Sequence, residues 1–179
     1  KEWKAGAKTA ATASAQAGKT EVIEIGKGRT VVLIPDKTLP YVSANLTFSG
    51  GDALLQPTEQ GLSALASNVL TKGTAKRGAT EMQAFLADRA AGLAASSFSV
   101  QLSTPARFNE DLFGLLGEVI ASPAFSKDET ARGIKDQIAA IKSREDQPLG
   151  LAFRKLPPFL FPDSVYGYLQ LGAVENVRK

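Results

Sequence analysis

GGDALLQPTEQGLSALASNVLTKGT, residues 50–74, carries the reading of this chain. Gly50-Gly51 ends the stretch Tyr41–Ser49, which places Val42, Ala44, Leu46 and Phe48 on one side and Tyr41, Ser43, Asn45, Thr47 and Ser49 on the other. That two-residue period predicts a half-buried strand. After an acidic loop, Gly61–Lys72 changes to helical spacing, with Leu62, Leu65, Val69 and Leu70 as its apolar stripe. Gly73 stands just past the end, where a helix often stops on glycine.

Outward from this stretch the pattern stays regular. Upstream, Glu21–Ile25 alternates, Gly26-Lys27-Gly28 turns, and Thr30–Ile34 is β-branched, which predicts a hairpin. Downstream, a helix is expected from Thr80, with Thr80 and Gln83 at capping-box spacing and Gly92 closing it. Leu93–Thr104 reads as one long strand with Ala94, Ser96, Phe98, Val100 and Leu102 on a single face. Asn109 opens a third helix, carrying Leu112, Leu115, Leu116, Val119 and Ile120. Ser122-Pro123 breaks it. A fourth helix starts at Ser126 or Asp128, with Ala131, Ile134, Ile138 and Ile141 on its inner face. Pro148 starts a further one that Pro157-Pro158 should interrupt. The expected class is α+β: a mostly antiparallel sheet with helices packed on one face. Residues 1–20, rich in Ala, Thr, Lys and Gly, read as a linker or flexible head. Residues 21–179 read as a single domain, expected to continue beyond the C-terminal end of this chain.

Composition narrows the chemistry. Among 179 residues there is no cysteine and no histidine. Disulfides, thiol nucleophiles, Ser-His-Asp or Cys-His catalysis, and nitrogen- or sulfur-ligated zinc are therefore excluded within this chain. The net charge of +3 belongs to the first twenty residues, where four lysines oppose Glu2, so the remainder is neutral. That leaves no basic footprint for nucleic acid. No apolar run is long enough to span a membrane. The lack of cysteine is compatible with a bacterial periplasm or secretion.

Three local patterns carry no chemistry. Residues 13–20 nearly match a phosphate-binding loop, but low-complexity sequence precedes them and a strand follows, whereas the motif needs a strand before and a helix after. The acidic pairs Glu110-Asp111, Asp128-Glu129 and Glu145-Asp146 are adjacent, and adjacent residues on a helix point apart. Serines and lysines are plentiful, but no local motif marks a Ser-Lys dyad.

Residues 50–74 resemble the start of a half-unit of the inverzincin metallopeptidases, the insulinase, pitrilysin and mitochondrial-processing-peptidase family. There a strand ends in glycine, an acidic loop follows, and Gly-Leu opens a helix that carries H-x-x-E-H and ends in Lys-Gly-Thr. Gly61-Leu62 and Lys72-Gly73-Thr74 stand where that family has them. The resemblance runs on through Thr30–Pro35, Leu86–Ser97, Ser122-Pro123-Ala124-Phe125, Ile141 to Pro148, and Phe161-Pro162-Asp163 to Tyr166-Gly167.

By this register Ala64, Ser67 and Asn68 occupy the positions of His, Glu and His. Positions 64 and 68 are one helical turn apart, where two imidazoles would share a metal, and position 67 would hold the general base. All three identities are absent. The family's third ligand, a glutamate, falls near Arg132, Gly133 and Ile134, flanked by Glu129 and Asp136, and no residue there takes the role.

The resemblance implies a non-catalytic domain or half of a zinc-dependent peptidase, forming part of the wall of a peptide-degrading chamber. No cofactor is expected in this chain. Zinc would sit in a catalytic half, on the same polypeptide or a separate subunit, and the substrate would be a peptide. A structural assembly subunit and a stand-alone peptide-binding module of the same fold stay open as alternatives.

Overall fold

The computed structural model describes residues 18–162 and 164–178, so most of the linker expected over 1–20 lies outside the described residues. The chain divides into two compact units, one ending at Pro40 and one from Tyr41 onward.

In the first unit, β1 (Glu21–Glu24) and β2 (Thr30–Leu33) pair antiparallel, Glu21 opposite Leu33 and Glu24 opposite Thr30. Gly26, Lys27 and Gly28 take successive positive φ angles of 81°, 54° and 71°. Glycine meets this turn's demand at two of its three positions without steric cost. Ile25 and Arg29 close it through an N–H···O bond of 3.0 Å. The hairpin therefore forms where the alternation and the glycines place it.

The second unit is built on a three-stranded antiparallel sheet ordered β3-β5-β4: β3 (Tyr41–Thr47), β5 (Ser99–Pro105) and β4 (Gly92–Ser96). The single long strand expected over 93–104 is instead a β4–β5 hairpin turning at Ser97-Phe98. The turn reverses the parity of everything after it. Residues directly opposite across a ladder share a face, so Leu93 joins Leu102 and Ala95 joins Val100, whereas Ala94 joins Gln101 on the other face. Val100, Leu102 and Thr104 are fully buried, and Leu93 and Ala95 pack on the same core.

Two helices lie between β3 and β4 in the chain and two follow β5, and together they cover one face. They are α1 (Leu62–Leu70), α2 (Ala79–Asp88), α3 (Asn109–Ala121) and α4 (Lys127–Glu145). Met82 and Leu86 of α2, Leu112, Leu115 and Val119 of α3, and Val100 and Leu102 of β5 form the central cluster. The class is α+β, as the element order implies.

Cap positions shift by one or two residues from the sequence reading. The amide of Gly78, not Thr80, starts α2, donating to the Glu81 carboxylate at 2.9 Å. Ala90, at φ 46°, takes the left-handed position after α2, and Gly92 is already in β4. Ser126 caps α4 through Glu129 N–H, as its sequence suggests. The inner face of α4 is rotated from the one expected: Gly133, Gln137 and Ile141 are buried and Ala131 is exposed.

The next helix, α5 (Pro148–Leu160), runs through Pro157-Pro158 instead of breaking there. Tertiary ties offset the lost helical bonds. Arg154 is anchored to Glu145 at 3.1 Å and to the Gly172 carbonyl at 3.1 Å, and only two residues of the helix lie beyond Pro158. A short α6 (Val174–Val177) ends the described chain.

Candidate functional site

The candidate site lies on α1, and its start is set by backbone geometry. Gly61 has φ 90°, and a Cβ there would come within 2.4 Å of the Leu171 carbonyl oxygen. Gly172, at φ 67°, would meet the Gln60 carbonyl in the same way. The two glycines let the loop before α1 and the segment before α6 touch backbone to backbone. Gln137, buried in α4, fastens the junction by donating from Nε2 to both Gly61 O and Leu171 O at 2.9 Å. Gln60 Oε1 accepts from Leu169 N at 2.8 Å, and Asn176 Nδ2 donates to Pro57 O at 3.3 Å. Ser63, in the first turn of α1, donates its hydroxyl to the Asp52 carboxylate and pins the acidic loop.

The far end is clamped too. Thr74 N–H donates to Arg77 O at 2.9 Å, Ala75 N–H to Ser122 O at 2.8 Å, and Ala124 N–H to Gly73 O at 3.1 Å. Lys72-Gly73-Thr74 thus ties the end of α1 to the start of α2 and to the Ser122-Pro123 break. Gly73 is not the left-handed cap expected of it: α1 ends at Leu70, with Thr71 at φ −83° as C-cap. Its requirement is space, since a Cβ would lie 2.8 Å from Arg77 O.

Beside this clamp Arg77 pairs with Glu118, and Arg77 and Arg89 both stack on the Phe85 ring, at 4.4 Å and 3.8 Å. The hydrogen-bonded Arg77 guanidinium holds the Glu118 carboxyl below its ordinary range, against the opposing effect of desolvation.

Between these clamps, α1 packs on α4 and on β4. Leu65 and Val69 face α4, where a Cβ at Gly133 would lie 3.0 Å and 3.1 Å from their methyl groups. Ala64, Ser67 and Asn68 lie on the other side of the helix, within one turn of each other. They differ in setting: Ala64 is half-buried, Asn68 exposed, and Ser67 buried with its hydroxyl donating to Ser63 O at 2.6 Å.

These residues do not fit a zinc ion. The Ala64 methyl group offers no lone pair, and Ser67 and Asn68 offer only neutral oxygens where zinc takes imidazole, thiolate or carboxylate ligands. Of the α4 residues at the expected third position, Gly133 packs on Leu65 and Val69, Glu129 pairs with Arg132 at 2.7 Å, and Asp136 is exposed. Among the described residues, no three His, Cys, Asp or Glu side chains converge to hold a metal. No helix among them is long and apolar enough to cross a membrane.

The helical spacing located α1, but not the ties that hold it. Gln137 was legible only as a polar residue four positions from Gly133. The Asp52–Ser63 pair left no periodic signal.

No family model matches the chain. The Helicobacter pylori non-peptidase homologue YmxG is 25% identical over 161 residues, which cover 87% of this chain and 37% of that protein. Among solved structures, a protease from Helicobacter pylori matches with TM-score 0.75 and 18% identity, over 90% of this chain and 40% of that one. The peptidase M16 inactive domain from Pseudomonas fluorescens matches with TM-score 0.80 and 20% identity, over 88% of this chain. The chain spans about two-fifths of the length of these relatives. In fold, then, it matches the peptidase M16 inactive domain.

Proposed function

We propose that this chain is a non-catalytic domain or half of a zinc-dependent peptidase of the insulinase and pitrilysin type. In this reading it forms part of the wall of a chamber in which peptides are degraded. The observation that carries the proposal is the M16-type fold; the sequence resemblance adds that Ala64, Ser67 and Asn68 of α1 stand where the family has H-x-x-E-H. Zinc then belongs to a catalytic half, on the same polypeptide or on a partner. Residues 21–179 belong to one half-unit, and the location is a bacterial periplasm or the exterior.

Affinity purification of the tagged protein from its own cells tests this reading. A polypeptide bearing H-x-x-E-H should co-purify, or be found within the same chain, and the complex should cleave peptides in a chelator-sensitive way. The isolated 179-residue chain should not. Chelator-sensitive cleavage by the isolated chain would overturn the proposal. A complex free of any H-x-x-E-H sequence would favour the alternative, a structural or peptide-binding role.

A further inference from the structure

Helix α5 is amphipathic with its apolar side turned outward. It packs on α4 and on the Val165–Gly167 turn through small or tied residues. A Cβ at Gly150 would lie 2.3 Å from Arg144 O, Arg154 bonds Glu145 and Gly172, and the Pro157 carbonyl lies against Gly167. The opposite side carries Leu149 (70% exposed), Phe153 (64%), Leu156 (47%), Phe159 (80%) and Leu160 (54%), with Ala152 among them. A helix in a monomeric unit normally turns such a stripe to the core. A contiguous apolar patch of this kind marks an interaction surface.

The spacing of the stripe indicates what covers it. Leu149, Phe153, Leu156 and Leu160 are separated by four, three and four residues. That series reads the same in both directions and is the alternation of a helix-pair seam. An antiparallel copy of α5 therefore sets Phe153 against Leu156 and Leu149 against Leu160 of the other copy, and the reverse, as a twofold interface requires. The stripe is about 16 Å long at 1.5 Å rise per residue. Weighting each of the five large side chains by its exposure gives at most about 600–700 Å² per copy, or about 1,300 Å² in a pair, at the low end of the range for specific interfaces. The seam itself contains no charged side chain, and Lys155 lies at its rim.

We propose that the exposed face of α5 is a homodimer interface, in which two copies of this chain pair their α5 helices antiparallel. The inference stands apart from the peptidase reading and does not depend on it.

Sedimentation equilibrium of the 179-residue chain is expected to show a dimer at about 100 μM, a concentration suited to an interface of this size. Phe153→Asp with Leu156→Asp should weaken association about tenfold or more. Phe113→Asp, at an exposed site on α3, should leave it unchanged. Both variants should keep the far-ultraviolet circular dichroism and melting temperature of the parent, because none of these side chains is in the core.

Since the chain has no cysteine, orientation can be read directly. Mixed Phe153→Cys and Leu156→Cys chains should oxidise to a heterodimer, whereas Leu149→Cys should not cross-link to itself. Three results would each overturn the proposal: a monomer at 100 μM, an association indifferent to the double aspartate variant, or efficient Leu149→Cys self-linkage. A monomer that binds neutral phosphatidylcholine vesicles through this face would also overturn it, by assigning the stripe to a lipid surface.

Discussion

Glycines at a helix start and inside a helix have opposite requirements in this protein. Gly61 combines a φ of 90° with a backbone carbonyl 2.4 Å from where a Cβ would sit. Gly114 and Gly117, inside α3, have nothing within 4 Å of theirs. Gly61→Ala should therefore destabilise the fold by about 2–4 kcal/mol, through left-handed strain and displacement of the 171–172 segment. Gly114→Ala should stabilise it by up to about 1 kcal/mol, because alanine loses less backbone entropy in an open helical site. Urea unfolding of the two variants beside the parent measures both signs. Gln137→Leu should cost about 1–3 kcal/mol, since Leu171 O loses its buried donor.

At the same scale, Ala64 and Asn68 can accept histidine more readily than Ser67 can accept glutamate. Ser67 is only 8% exposed, so a carboxylate there would be buried without a cation to pair with. Ala64→His with Asn68→His should fold and bind zinc weakly, lacking a third protein ligand and the partners that orient imidazoles. Adding Ser67→Glu should lower the melting temperature markedly and yield no peptidase activity. Calorimetric zinc titration and thermal melts check this; tight zinc binding with turnover would show that α4 supplies a ligand after all.

Elements in this chain are fastened mainly at their ends. The Lys72-Gly73-Thr74 clamp joins α1, α2 and the break between α3 and α4, and Glu118 of α3 reaches it through Arg77. Glu118 has a folded-state pKa below its unfolded value, so its contribution to stability is fully present above the ordinary glutamate pKa of about 4.3. It is lost as pH falls through the lower folded value. In Glu118→Gln the drop in stability between pH 6 and pH 3 should be smaller than in the parent, as followed by denaturant midpoints at each pH. An equal drop would place the acid sensitivity elsewhere. The close α1–α4 approach is similarly local: Gly133→Leu would push Leu65 and Val69 of α1 away from α4, an overpacking cost of about 1–3 kcal/mol or more.

For the whole molecule, the fold is shared with structures more than twice as long. The chamber proposal predicts that peptidase activity of any assembly containing this chain will depend on zinc ligands from outside residues 1–179. Replacing a histidine of the partner motif should abolish cleavage while leaving the thermal stability of this chain unchanged. Comparing activity with thermal melts of the assembly separates the two effects.

Element types and the lack of the usual metal ligands were legible in the residues alone. Period-two alternation marked β3 and the β1–β2 hairpin, helical spacing marked α1 to α4, and the absence of histidine and cysteine removed the usual ligands whatever the fold. Tertiary structure alone decided the rest, because those features rest on contacts between distant residues. The Ser97-Phe98 turn carries no glycine, asparagine or aspartate to announce it, and the pairing of β5 with both β3 and β4 fixes the register. Pro157-Pro158 stays helical because Arg154 is held by groups on α4 and at Gly172. Gln137 lies inward because two carbonyls, 76 and 34 residues away, need its amide. Periodicity reports which residues avoid water, but the bonding demand of a buried backbone carbonyl appears only when the chain has closed around it.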